Sequence, residues 1–112
     1  MTIYTEPFSK NALLEMQEHF FGDMVKGVVD IDRNIIAIDA ELHSDLESLL
    51  LSNESLHENL WGINLYPELD GDDFLEFDSL INIRPSQGNR SRDVENESVR
   101  NKIKELINKM IL

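Results

Sequence analysis

The chain contains no cysteine. Disulfides, zinc–thiolate sites, iron–sulfur clusters and thiol catalysis are therefore excluded. Positive charge is also scarce: ten Lys and Arg stand against 22 Asp and Glu, a net charge of −12. Duplex DNA or RNA is gripped through phosphates neutralised by clustered cations, so no duplex nucleic acid is expected as a partner. An anionic membrane surface is disfavoured for the same reason. No apolar run approaches the roughly 18 residues that a bilayer span needs. Glu6, Lys10, Glu15 and Glu18 interrupt the first twenty residues, where a secretory signal would be apolar. These absences lead to the expectation of a cytoplasmic protein with no membrane partner.

What is present suits a globular domain. The 112 residues, 41% of them hydrophobic, predict one α+β domain spanning 1–112. Ser9 can cap a helix over 10–21, with Leu13, Leu14, Phe20 and Phe21 at helical spacing and Gly22 as its stop. Met24 to Ile31 and Ile35 to Asp39 read as a hairpin turned at Asp32-Arg33-Asn34. Ser44-Asp45-Leu46-Glu47 matches a capping box and predicts a short helix from Ser44. Leu60 to Tyr66 and Phe74 to Ile83 read as two further strands. Asn96 can cap a last helix over 97–111. The predicted order is α-β-β-α-β-β-α: a two-layer domain, with about four antiparallel strands and the helices on one face.

Charge is sorted unevenly along this frame. Residues 1–83 carry three basic and eighteen acidic side chains, a net of −15, whereas 84–92 carry three arginines and no acid. Residues 93–112 balance at four and four. The 84–96 stretch lacks periodicity, and connections of about a dozen residues are uncommon in compact domains and often functional. It holds the parts of an anion site. Arg84, Arg90 and Arg92 bring guanidinium forks that match phosphate or carboxylate geometry. Gly88 and Asn89 tolerate left-handed backbone, which lets successive N–H groups converge into a nest. Ser86, Gln87 and Ser91 add donors. Asn64, Asp78 and Asn82, on the polar faces of their strands, extend the platform from sheet to loop. The competing account is that the three arginines pair with the chain's own carboxylates and pin a surface loop.

Other clusters are weaker. Asp39, Glu41, His43 and Asp45 alternate, and in an extended segment would share one side, as a metal-assisted hydrolase could use. The capping box breaks that alignment at Ser44. Glu68, Asp70, Asp72 and Asp73 fail the calcium-loop spacing and suit turn chemistry. Neither Ser86 nor Ser91 has a histidine nearby in sequence, so a nucleophilic triad lacks local support.

Trp61-Gly62-Ile63-Asn64-Leu65-Tyr66-Pro67 and the segment from Phe77-Asp78-Ser79-Leu80 through Arg84-Pro85-Ser86-Gln87-Gly88-Asn89-Arg90-Ser91-Arg92 resemble a family of small prokaryotic proteins classed as a domain of unknown function. The similarity runs from about Met24 to the C-terminus. It implies a soluble microbial protein of this size and carries no activity, cofactor or catalytic residue to transfer. The leading expectation is thus a module for a small anionic, phosphate-bearing ligand at 84–92. The alternatives are a protein-interaction or homo-oligomerisation module that uses the arginine loop and acidic surface, and the metal-assisted hydrolase.

Overall fold

The computed structural model describes residues 1–112. Its regular elements are β1 (Thr2–Tyr4), α1 (Lys10–Phe20), β2 (Val25–Asp30), β3 (Ile35–Ile38), α2 (His43–Ser52), β4 (Leu60–Leu65), β5 (Leu75–Glu76) and α3 (Glu97–Met110), joined by short 3-10 turns. The architecture follows from β2 and β3. Val28-Val29 and Ile35-Ile36-Ala37-Ile38 are apolar at successive positions, and successive strand residues face opposite ways. Both faces of this hairpin therefore need cover, and all six side chains are buried.

The cover comes from two helical layers. Val29, Ile36, Ile38, Trp61, Ile63 and Leu65 pack with Leu13 and Met16 of α1 and with Ile103, Leu106, Ile107 and Met110 of α3. On the other face Val28, Ile35, Ala37 and Leu60 pack with Leu46 and Leu50 of α2. The fold is α+β with an antiparallel sheet, as the sequence predicts. It departs from the two-layer expectation because α2 lies on the face opposite α1 and α3.

The sheet has five strands in the order β1-β3-β2-β4-β5, all neighbours antiparallel. β1 is additional to the predicted set; three residues are too few to display a period, and pairing with Ala37 and its neighbours defines it. The strand expected over 74–83 shrinks to Leu75–Glu76. Beyond it the chain coils into a 3-10 turn at Leu80–Asn82, where the Ser79 hydroxyl accepts from the Ile81 N–H. Gly62 makes room for that turn: a Cβ there would meet the Ser79 side chain at 2.5 Å.

The caps at Ser9 and Asn96 form as predicted, accepting from the Ala12 and Val99 N–H groups. The capping box at Ser44 does not form. α2 starts at His43, Leu42 occupies the cap position, and no side chain caps the helix. The earlier start brings His43 into the core edge, 8% exposed, where its Nε2 meets the Ile63 carbonyl at 2.9 Å. No helix is long and apolar enough to cross a membrane.

Candidate functional site

The residues proposed from sequence divide into a scaffold and a cleft wall. Arg84 belongs to the scaffold. It is only 5% exposed. Its Nε donates to the Ile81 carbonyl at 3.0 Å, and its Nη1 to the His57 carbonyl at 3.0 Å. Its Nη2 donates to the Leu60 carbonyl. The guanidinium also stacks 4.6 Å over the Trp61 ring, with Glu47 3.9 Å away. Buried and tied to three main-chain carbonyls, Arg84 fastens the fold rather than facing a ligand.

Asn82 and Asn89 are scaffold too. Asn82 is fully buried. Its Oδ1 accepts from the Gly62 N–H at 2.8 Å, and its Nδ2 donates to the Gly62 and Arg92 carbonyls at 3.0 Å each. The side chain thus stands where a neighbouring strand would. Asn89 donates to the carbonyls of Asn82 and Asp93, both at 2.7 Å, and accepts from the Glu95 N–H at 2.8 Å. Gly88 takes the left-handed conformation with φ 80° and ends the 3-10 turn Pro85–Gln87. Gln87 donates to the Glu58 carbonyl at 3.2 Å, and Ser86 is exposed.

A nest forms in the loop, and its anion is internal. The Arg90 and Ser91 N–H groups and the Ser91 hydroxyl converge on one Glu95 oxygen at 2.7, 2.8 and 2.8 Å. The Ser91 hydroxyl and these two N–H groups hold the Glu95 carboxyl below its ordinary range. Arg90 is exposed and makes no ion pair.

Arg92, Asn64 and Asp78 come together elsewhere, in a cleft of about 430 Å³ on the α2 side of the sheet. Strand register builds its floor. Lys26 of β2 lies opposite Asn64 of β4, and Asn64 lies opposite Glu76 of β5. The three side chains form a polar row across the sheet. α2 packs on β2 and β3 and leaves the β5 side of this row uncovered; the segment 78–81 and the start of α2 supply the walls.

The chemistry of this row is specific. Asn64 is 5% exposed. Its Nδ2 donates to Glu76 Oε1 at 2.8 Å and to the Asp78 carbonyl at 3.1 Å, while its Oδ1 has no partner. The Tyr66 hydroxyl donates to the same Glu76 oxygen at 3.0 Å. Burial, and then Glu76, push the Tyr66 phenol up to about 12, so it remains a donor. Arg92 Nε donates to Asp78 Oδ1 at 2.6 Å, with both side chains about half exposed. Lys26 has no carboxylate within ion-pair distance; its ammonium stands 5.0 Å over the Phe21 ring.

At the wall, burial pushes the His43 imidazole below its usual value, only partly opposed by the bond to Ile63 and by the neighbouring Asn64 side chain. A neutral imidazole donates Nε2–H to that carbonyl and keeps Nδ1 as an acceptor. Ser44 follows at the open first turn of α2. Helix starts leave N–H groups without intrahelical acceptors, and here no side chain takes them.

Lys26, His43, Ser44, Tyr66 and Glu76 were not singled out for this cleft by sequence, because they lie far apart in the chain and only register and the placement of α2 join them. The alternating set Asp39, Glu41, His43 and Asp45 is separated. Asp39, with φ 76°, pairs with His19 at 2.7 Å, Glu41 and Asp45 are exposed, and His43 is buried. No three His, Asp or Glu side chains converge on a point that would hold a metal ion.

A second cleft, about 530 Å³, lies between α3 and β5 and is lined by Phe74, Phe77, Arg100 and Lys104. It is the larger, but Arg100 is committed to Asp93 at 2.6 Å and stacks on Phe77 at 4.3 Å, and no unpartnered buried polar atom lines it. Recognition chemistry is therefore richer in the Asn64 cleft. No curated protein and no solved structure matches the chain. A family model described as a protein of unknown function, DUF5674, matches residues 2–110, and the chain belongs to that family.

Proposed function

We propose that the protein is a binding module for a small anionic ligand, held in the Asn64 cleft rather than in the loop nest. The observation that carries this reading is a pairing of two features at one place. The uncapped start of α2 opens beside the unpaired Lys26 ammonium, and the floor between them is the buried Asn64 with its Oδ1 unpartnered. Helix N-termini attract anions through free N–H groups and the helix dipole. Lys26 and the unused nitrogens of Arg92 add charge. Asn64 Oδ1 asks for a donor, so the complementary ligand carries a hydroxyl or amine beside its phosphate or carboxylate. A cleft of this size suits such a molecule.

The test is calorimetric titration with inorganic phosphate and with glycerol phosphate. Saturable binding is expected for both, tighter for the hydroxylated compound. Ligand at a hundredfold over its Kd adds roughly 2.7 kcal/mol of stability. Lys26→Gln weakens both titrations, whereas Arg90→Ala leaves them unchanged. Wild-type protein that gives no heat and no thermal shift with either compound would remove the proposal.

A further inference from the structure

Trp61, the chain's one tryptophan, marks a separate place of interest. It is the second residue of β4, on the α1/α3 face, and is 4% exposed, yet its Nε1 has no acceptor. A donor shut away from water without a partner is unfavourable. Tryptophan N–H groups normally find one when buried. The ring is held on one side by the Arg84 guanidinium, which is itself fixed by the carbonyls of Ile81, His57 and Leu60.

The indole lines a cleft of about 410 Å³ between the Pro85–Gln87 turn and the start of α3. This cleft shares no lining residue with the Asn64 cleft. Its charged residues are Glu58 and Glu95, and neither has a cation within ion-pair distance. Glu95 is held ionised by its three donors from Arg90 and Ser91, which occupy only one of its oxygens. At the α3 terminus Asn96 takes the Val99 N–H and Glu97 adds an acid to the first turn, so this end also disfavours an anion. Ile31 and Val99 complete the wall with apolar surface.

The requirements of this cleft are opposite in charge to those of the first. It asks for one acceptor, at Trp61 Nε1, and for positive charge, at Glu58 and Glu95. A basic residue within a polypeptide meets both: its main-chain carbonyl accepts from the indole, and its guanidinium or ammonium pairs with the carboxylates while its methylenes cover Ile31 and Val99. We propose that this cleft is a second site, which takes an arginine or lysine of a partner protein segment. The net charge of −12 would steer such a segment toward the surface.

The single tryptophan gives a direct readout on the full chain. Acetyl-Gly-Arg-Gly-amide is titrated while Trp61 emission and the indole N–H resonance are followed, with acetyl-Gly-Glu-Gly-amide as the opposite-charge probe. The arginine peptide is expected to give a saturable change and a downfield indole N–H, and the glutamate peptide neither. Glu58→Gln, at an exposed position, weakens the arginine peptide several-fold with the fold unchanged. Trp61→Phe keeps an aromatic side chain and deletes the donor; followed by calorimetry, it weakens binding roughly tenfold. No saturable change with the arginine peptide, an equal response to the glutamate peptide, or undiminished binding to the Glu58→Gln protein would each overturn the proposal.

Discussion

Replacing Asn82 by alanine should be among the most damaging single changes in this chain. The side chain is fully buried and makes three hydrogen bonds, all to main chain: the Gly62 N–H, the Gly62 carbonyl and the Arg92 carbonyl. Alanine leaves the Gly62 N–H and carbonyl without partners and out of reach of water, while the Arg92 carbonyl keeps only the Ser79 N–H at 3.1 Å. An unmet buried donor or acceptor costs about 1–3 kcal/mol. Two such groups, with partial relaxation of the loop, give an expected loss of about 2–4 kcal/mol. That is a large share of the roughly 5–15 kcal/mol that keeps a domain folded. The midpoint of urea unfolding should fall with the slope unchanged, and Tm should drop on the order of 15 °C. Asn82→Asp sharpens the test. It keeps the acceptor for the Gly62 N–H but sets a carboxylate oxygen against two carbonyls, so this variant gains stability as its carboxyl protonates in acid. A loss below about 1 kcal/mol for the alanine variant would show that Asn82 does not fasten the 79–92 segment to β4.

Three further outcomes follow from the same geometry. Arg84→Lys keeps the charge but cannot serve the carbonyls of Ile81, His57 and Leu60 as a fork; denaturation should show a loss of about 2–3 kcal/mol, against less than about 0.5 kcal/mol for the exposed Arg90→Ala. The folded-state pKa of His43 lies below its unfolded value because of burial, so the unfolded chain binds the proton more readily. Stability from neutral His43 is present above about pH 6.5 and is lost as pH falls below it, and His43→Gln should flatten that part of the stability–pH curve. Tyr66 should ionise near pH 12, seen as a late phenolate absorbance step. Stability from its neutral phenol is retained below the unfolded pKa of about 10 and fades as pH rises toward 12.

Local signals in the sequence carried much of the fold. Ser9 and Asn96 announce helix starts because a cap is a contact within three residues. The hairpin of β2 and β3 reads directly from its apolar run. The second helical layer was missed, although Val28-Val29 and Ile35 to Ile38 leave no polar face to expose. What failed was context. Phe77, Ile81 and Ile83 alternate as a strand would, but bonds from Ser79 and Asn82 coil the chain against Gly62, twenty residues away. Ser44 to Glu47 spells a capping box, yet burial of His43 against Ile63 draws the helix start forward. The arginine island stood out by its charge; Glu95, which fills its nest, lies just past its edge. The Lys26–Asn64–Glu76 row is invisible without strand register.

β5 covers only the end of β4, pairing at Asn64 and Leu65. The outward-facing groups of the remainder would offer a template for a strand of another molecule, the usual route to edge-to-edge association. Here the Gly62 N–H and carbonyl are taken by Asn82, and the Leu60 carbonyl by Arg84. Side chains satisfy the border without presenting a new row of donors and acceptors to pair with. The arginine-bearing segment therefore acts as a guard on the sheet's exposed margin. Variants that loosen it should be prone to self-association as well as to unfolding.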